Sequence, residues 1–314
     1  MNILILSCGT RYKLVEFFKE CEVVNKVVVT DCSEQAPALY AADKYYVVPR
    51  MNQEGYFECL MDICKKEKIN SVLPLQEEEI LLTAKNKELY EEIGVLPIVS
   101  EYEKVLLCKD KYGLNHKLEE AGIPSVKTYL ASTFLKENKS IEEVFVKPRF
   151  GAGSINTFQV HSRRLLEALV EESEEELIVQ PSIKGKEFGV DVYVDMLSKQ
   201  VVCCFCKEKL RMRAGETEKS LSVINVQIEE LVTKAVKTMG LCGPLDVDVM
   251  EEDGQYYILE INPRFGGGYP HAYMCGISFP KYLAKNSVGE CNPINEKKYR
   301  QDILAMKYSE IIVK

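Results

Sequence analysis

Tryptophan is absent from this chain of 314 residues, and histidine occurs three times, at His116, His161 and His271. None of the three stands beside an obvious nucleophile, so Ser-His-Asp and Cys-His hydrolytic chemistry has no footing in the sequence. Two phosphate fingerprints are missing as well. The loop that follows VFVKPRF has no G-K-[ST] ending and no third glycine in the G-x-G-x-x-G spacing, which excludes a P-loop and a dinucleotide turn there. No apolar run approaches the length of a membrane span, so no membrane partner is expected. No basic block stands out among 40 basic and 48 acidic residues, and the net charge of −8 makes nucleic acid an unexpected partner. Cys203, Cys204 and Cys206 have no nearby CxxC or histidine to complete a zinc set, and their alternation in VVCCFCKEKL reads as strand packing. The start, MNILILSCGTRYK, lacks a basic n-region and a cleavage site, so the twelve cysteines are expected to be reduced thiols in a cytoplasmic protein.

What is present is enough apolar material for folding. Hydrophobic residues make up 46% and charged residues 28%, and the length predicts two or three packed units rather than one. The first part alternates short apolar runs (NILILSCG, KVVVTDCS, SVLPLQ) with amphipathic stretches (RYKLVEFFKE, GYFECLMDICKKEKI), the pattern of a parallel sheet with helices on its faces. Ligands of such sheets sit at the carboxyl ends of the strands, where Cys8-Gly9-Thr10 and Asp31 fall. A single glycine is too few for the dinucleotide motif, so Asp31 reads as a turn-capping acid, and nicotinamide binding near Gly9 is not expected.

The pattern pauses at Gly and Pro in GVLPIVSEYEK, which places a boundary at 98/99. KDKYGLNHKLEEAGIPSV is a helix stopped by Gly122 and Pro124. From there β character dominates, with VFVKPRF, INTFQV, LIVQPSI, EFGVDVYVDM and QVVCCFCKEKL alternating like antiparallel strands. A helix from about Ile228 to Met239, two strands and a helical tail complete the chain. In GPLDVDVMEEDGQYYILEINPRFGGG, Asp253-Gly254 marks a hairpin turn, so LDVDVM and YYILEI pair. Glu260 and Asn262 share a face because alternate residues point the same way, and Asp248 lies on the neighbouring strand. Three oxygen-bearing side chains there suit Mg²⁺; a solvent-facing strand pair with an Asx turn is the plainer alternative. Arg264 with the glycines after it, and Lys147 with the small-residue loop after it, suit a site that grips phosphate.

Taken in order, K-D-K before a helix, V-F-V-K-P with its small-residue loop, L-I-V-Q-P-x-I-x-G-x-E, and D-V-D…L-E-I-N-P-R-F-G-G-G resemble the ATP-grasp superfamily. VVVTDCSEQAPALYAADKYYVVP is similar to the pre-ATP-grasp domain of carbamoyl-phosphate-synthase-like ligases, so the resemblance covers nearly the whole chain. It implies a mixed α/β and α+β architecture: a Rossmann-like parallel sheet over residues 1–98, then an ATP-grasp domain over 99–314 with a mobile lid at about 125–180 and an antiparallel C-terminal subdomain. It also implies ATP and one or two Mg²⁺ as cofactors, with Mn²⁺ as a substitute. By the same resemblance Lys111 and Lys147 contact the phosphates. Phe150, Gly151, Gly153 and Ser154 belong to the loop over them, Gln180, Pro181, Ser182 and Ile183 line the adenine, and Glu187 holds the ribose. Asp248, Glu260 and Asn262 bind the metal, and Arg264 neutralises the transferring phosphate. The pattern departs from many relatives at Gln180-Pro181, where they carry an acid and where proline has no N–H to give, and at Asp248, where some have Gln or Glu.

The resemblance implies phosphorylation of a small-molecule carboxylate to an acylphosphate and its capture by an amine. Such chemistry asks for positioned cations and metal ligands rather than a covalent protein nucleophile. On the substrate side, Arg211 and Arg213 sit two apart and, in an extended segment, share a face able to clamp a carboxylate, with Glu216 following; an ordinary charged surface loop is the alternative. Gln76 to Glu79 either meet an amine or simply start a helix. His271 either lines the acceptor pocket or caps a helix. Carbamoyl-phosphate-type ammonia or carbamate chemistry and a nucleotide-binding regulatory module without turnover are the other readings, and a homodimer is left open.

Overall fold

The computed structural model describes residues 1–137, 141–151, 153, 155–295 and 299–314. Its first sheet is parallel, with β1 (Asn2–Ile5), β2 (Lys26–Asp31), β3 (Lys44–Val47), β4 (Ser71–Leu73) and β5 (Leu96–Pro97) in the order β3-β2-β1-β4-β5. Ile3, Leu4 and Ile5 on the central strand are all fully buried, as a strand covered by helices on both faces requires. The strand order reverses between β1 and β4, so a crevice opens at their carboxyl ends. Two segments border it: the turn from Cys8 to Arg11, and the start of the helix Glu77–Lys85. Asp31 at the end of β2 fixes the first, accepting from the N–H of Gly9 at 2.9 Å and of Ser33 at 3.0 Å, the turn-capping role its position predicts.

A four-stranded sheet follows, with β6 (Tyr129–Leu130), β7 (Val144–Pro148), β8 (Phe158–Val160) and β9 (Leu177–Pro181) ordered β6-β9-β7-β8. It has its own core of Val144, Val146, Val160, Leu166, Leu177 and Val179 beneath the helix Arg163–Glu172.

The third sheet has six strands: β10 (Glu187–Val194), β11 (Val201–Arg213), β12 (Glu216–Val223), β13 (Gly243–Glu252), β14 (Gln255–Asn262) and β15 (Leu304–Met306), in the order β14-β13-β10-β11-β12-β15. The expected hairpin joins β13 to β14 through Asp253 and Gly254, both at positive φ (51° and 76°), as a tight turn of that handedness needs. One face of the sheet carries Val190, Val192, Cys206, Val247, Val249 and Ile261 in a core shared with Ile228, Val232 and Val236 of the helix Val226–Met239. Each such side chain contributes roughly 1.5–3 kcal/mol on burial. Cys203, Cys204 and Cys206 pack on β11, burial raises their thiol pKa values, and all twelve cysteines are free.

The helical tail needs correction. Helices at Tyr269–Met274 and Phe279–Asn286 do follow β14, but the chain then returns as β15 on the edge of β12, with Lys219 paired to Met306. Three residues are too short to show a period, and the pairing comes from the open edge of β12 rather than from local preference. Among the described residues no helix is long and apolar enough to cross a membrane.

Candidate active site

A cleft of about 990 Å³ lies between the four-stranded sheet and the uncovered face of the six-stranded one, and runs to the crevice of the first. Its floor follows from strand alternation. On β13 Asp246 and Asp248 point into it, and their ladder partners on β14 are Asn262 and Glu260 respectively. On β10, Glu187, Gly189 and Asp191 share that face, and Lys207 and Lys209 do so on β11. The two sides of a single sheet thus divide the work, with hydrocarbon facing the helix and charge facing the cleft.

The charges are mostly answered. The ammonium of Lys209 lies 2.6 Å from Asp248 and 2.7 Å from Glu187, and Lys207 is paired with Asp191 where both side chains are almost fully buried. Arg264 lies 3.2 Å from Asp246 and also donates to the Phe265 carbonyl. Burial pushes Asp248 up to about 7 against the opposing pull of Lys209, and pushes Asp191 up to about 6 against Lys207. At Glu260 burial also works upward, but Lys147, Lys111 and the hydrogen bond from Asn262, 3.1 Å long, bring it below its ordinary value.

Two cleft charges have no hydrogen bond or ion pair with any described residue: Lys147 on β7 and Glu77 at the crevice. Burial holds the Lys147 ammonium below the usual lysine range although Glu260 opposes it. Burial likewise raises Glu77, against Lys111 and Arg264.

The predicted nucleotide residues divide. Lys111, Lys147, Gly151, Gly153, Gln180, Pro181, Ile183 and Glu187 line the cleft, as do Asp248, Glu260, Asn262 and Arg264. Phe150 and Ser182 do not. Phe150 lies beneath the Arg149 guanidinium, 5.1 Å from its ring centroid, and Ser182 gives both its N–H and its hydroxyl to Glu143. Neither the N–H nor the hydroxyl proton of Ser182 is therefore left for a further acceptor. Gln180 lines the cleft while its amide donates to Thr128 at 2.8 Å. Ser154 lies outside the described residues.

Arg211 and Arg213 do clamp a carboxylate, but it is the protein's own: both reach Glu218, at 2.9 and 3.3 Å. Register shifts on either side of Arg211 turn the strand, so that Leu210, Met212 and Arg213 line the cleft and Arg211 does not. Glu216 does line it, held by Arg11 at 2.9 Å and Lys307 at 2.7 Å. His271 neither lines the cleft nor caps a helix. It sits buried within Tyr269–Met274, its Nδ1 2.8 Å from the Ser220 hydroxyl, and burial together with the nearby Lys207 takes its pKa down to about 4. Gln76 starts the helix Glu77–Lys85; Glu78 pairs with Lys109, and Glu79 is fully buried against Ser7 and Tyr56.

Several site residues were not foreseen: Arg11, Asp246, Asp191, Lys207, Lys209 and Glu77 as an individual side chain. Asp246 and the two lysines had a readable signal, the D-x-D and K-x-K spacing that puts alternate residues on the face of Glu260. Arg11 had none. The glycine run after Arg264 carries a further surprise. A Cβ on Gly266 would stand 2.6 Å from the Asp246 carboxyl carbon, one on Gly267 would stand 2.9 Å from Arg11 Nη1 and 3.0 Å from Glu216, and one on Gly268 would stand 2.6 Å from Lys207 Cε. Three charged clusters press on the backbone of three successive glycines, so a side chain at any of them would have to displace Asp246, Arg11 with Glu216, or Lys207.

For a divalent cation the donor set is two carboxylates and a carboxamide, Asp248, Glu260 and Asn262. Among the described residues no group of three or more His, Cys, Asp or Glu side chains gathers into a metal cage. An all-oxygen set with few protein ligands fits Mg²⁺, which keeps waters and takes phosphate oxygens.

Comparison with known proteins agrees with this geometry. Residues 3–98 match the PylC-like N-terminal domain, and residues 108–268 match the ATP-grasp domain. The arginine-specific carbamoyl phosphate synthase large chain of Geobacillus stearothermophilus is 25% identical over 262 residues, which is 79% of this chain but only 24% of that one. The D-alanine–D-alanine ligase of Francisella tularensis subsp. novicida is 23% identical over 240 residues, covering 70% of this chain and 81% of the ligase. Among solved structures, the biotin carboxylase domain dimer of Hydrogenobacter thermophilus 2-oxoglutarate carboxylase, in complex with MgADP, ADP and bicarbonate, superposes with a TM-score of 0.76 at 17% identity, over 96% of this chain and 73% of that one. With an ATP-grasp domain matched over half its length and the lysines, acids and arginine of that domain gathered in one cleft, the chain belongs to the ATP-grasp family.

Proposed function

We propose that this protein is an ATP-dependent carboxylate–amine ligase. A carboxylate oxygen of a small acid, an amino acid or a related acid, attacks the γ-phosphorus of ATP, and the bond to ADP breaks. The amine nitrogen then attacks the acyl carbon, the bond to phosphate breaks, and the amine gives up its proton. The products are an amide, ADP and phosphate. The division at 98/99, with a lid at about 125–180, and a homodimer like that of the biotin carboxylase domain belong to the same reading.

Lys147 supports it most. A partly desolvated ammonium with no hydrogen bond or ion pair among the described residues, lining one cleft with Glu260, Asn262 and Arg264, gains most from an incoming polyphosphate. Lys111, whose ammonium donates to the Gly151 carbonyl, adds a second cation on the same side. Arg264, fixed by Asp246, is pre-placed for charge on the transferring phosphoryl group, which is where such reactions need it. Asp248, Glu260 and Asn262 would hold Mg²⁺, or Mn²⁺ in its place, and the metal would supply further neutralisation of phosphate charge. Ile183 and Glu187 border the end of the cleft farther from Arg264, where the base and ribose would lie.

Product analysis tests the reading. With ATP, Mg²⁺ and pooled amino acids, ADP and phosphate are expected to form only when the acids are present, and to vanish in Glu260→Gln. AMP as the product would mean adenylation and would overturn the acylphosphate route.

A further inference from the structure

Beyond Arg264 the cleft continues into the crevice of the first sheet, and the groups there differ from those around Lys147. One wall is the turn after β1, bearing Arg11; the second is the start of Glu77–Lys85; the third is the backbone of Gly267 and Gly268 with Glu216 and Thr217. Arg11 and Glu77 thus come from the two segments that flank the β1/β4 reversal, where a parallel sheet presents its ligand groups.

The two residues carry opposite charge and both line this part of the cleft. Glu77 lies in the field of Lys111, Arg264 and Glu260, beside the groups assigned to phosphate. It has no hydrogen bond or ion pair with any described residue. Arg11 lies against Gly267, and its guanidinium has a single described ion-pair partner, Glu216, which is itself shared with Lys307. A guanidinium has five N–H donors, so one carboxylate partner leaves capacity for a second.

Resting on the ligase reading above, we infer that this end of the cleft is the subsite for the amine substrate and that it takes an α-amino acid, Glu77 holding its ammonium group and Arg11 its carboxylate. Glu77, in the field of Lys111 and Arg264, would bring the amino group beside the groups assigned to phosphate. A simple amine or ammonia would leave Arg11 unused. A dicarboxylate would meet Glu77 with like charge.

The test compares three probe sets under MgATP: the twenty standard L-amino acids, their α-amides and their N-acetyl derivatives, each added in excess to a limiting amino-acid pool as the source of carboxylate, with the masses of the amide products showing which probe was joined through its amine. MgADP binding is measured by calorimetry in parallel. ADP release is expected to be stimulated by free amino acids and not further by either blocked set. Arg11→Ala is expected to raise the half-saturating amino-acid concentration about 10- to 100-fold, the scale of losing one charged hydrogen-bonded partner. The KM for ATP and the thermal midpoint should stay unchanged, with partial recovery in Arg11→Lys. Glu77→Gln should weaken amino-acid saturation in the same way. Equal stimulation by amides, or unchanged saturation in Arg11→Ala, overturns the subsite. No stimulation by any amino acid while MgADP binds overturns the amino-acid class and leaves a ligase of another amine. No nucleotide binding at all overturns the ligase reading instead.

Discussion

Lys209 on β11 bridges Asp248 and Glu187, one ammonium serving the acid assigned to the metal and the acid assigned to the ribose, at 2.6 and 2.7 Å. With only 5% of its side chain exposed, it is the internal counterion that allows two carboxylates to stand close on one sheet face before any cation arrives. Replacing it removes one partner of a buried pair, which costs roughly 3–5 kcal/mol. Lys209→Met is therefore expected to lower the thermal midpoint strongly and to weaken MgADP binding, since Asp248, already pushed up to about 7 by burial, then holds its proton more tightly. Unfolding scans with and without saturating MgADP check this. Equal midpoints for the two proteins would show that the bridge carries no weight.

Asp110 ties two parts of the nucleotide side together. It caps the helix Lys111–Glu120 through the Gly113 N–H at 3.0 Å, and it receives the Arg149 guanidinium in a two-pronged contact whose Nε arm is 2.7 Å long. Burial works to raise its pKa, and Arg149 with the capping N–H brings it below the usual carboxylate value. Asn at 110 keeps the cap but loses the charge, so Asp110→Asn is expected to cost about 1–3 kcal/mol, the scale of a charge-assisted bond. Because Lys111 is the next residue, the KM for ATP should rise severalfold with little change in kcat. Arg149→Lys, which cannot form the fork, should behave similarly.

Strand alternation carried most of what the sequence disclosed. D-V-D with L-E-I-N places Glu260 and Asn262 on one face with Asp248 on the neighbouring strand, because period-2 spacing decides which side chains share a face; Lys147 and Arg264 are read instead from the small-residue and glycine loops that follow them and from the resemblance. The same rule should have exposed Asp246, Lys207 and Lys209. It misled at Arg211, where two register shifts break the period, and it says nothing of Arg11, which reaches Glu216 only because the first sheet packs against the third. The three glycines read correctly as close approach, but the approaching groups are Asp246, Arg11 with Glu216, and Lys207. His271 was misplaced because neither helix membership nor the contact with Ser220 is written in its neighbours.

Gly185 sits in the turn between Ile183 and Glu187, and a Cβ there would run into the Glu251 carbonyl on β13. Backbone cannot yield as a side-chain tip does, so Gly185→Ala must displace the turn and with it the end of the cleft assigned to base and ribose. A lowered midpoint and a MgADP affinity reduced about tenfold, roughly 1.4 kcal/mol, are expected. Gly254→Ala is the control. Its φ is positive, at 76°, and no described atom lies within 4 Å of its Cβ, so it should cost about 1–2 kcal/mol of stability through backbone strain alone and leave nucleotide binding intact.

Glu79 supplies a pH dependence independent of the nucleotide. Its carboxyl is fully buried; Oε1 accepts from Ser7 at 2.9 Å and from the Tyr56 hydroxyl, and Oε2 has no hydrogen bond with any described residue. Burial pushes its pKa up to about 7 in spite of those two hydrogen bonds. The neutral acid is thus the form that suits the fold. Below the unfolded value of 4.5 both states hold the proton and the contribution is complete; between 4.5 and about 7 the unfolded chain releases the proton while the native one keeps it, so stability falls as pH rises. The loss is on the order of 3 kcal/mol, at ~1.4 kcal/mol for each tenfold difference in proton affinity between the two states. Urea unfolding of wild type and Glu79→Gln at steps from pH 4.5 to 8 isolates it. The difference in unfolding free energy should move progressively in favour of the Gln variant and level off above about pH 7; a difference independent of pH would mean that the carboxyl is already charged in the folded protein.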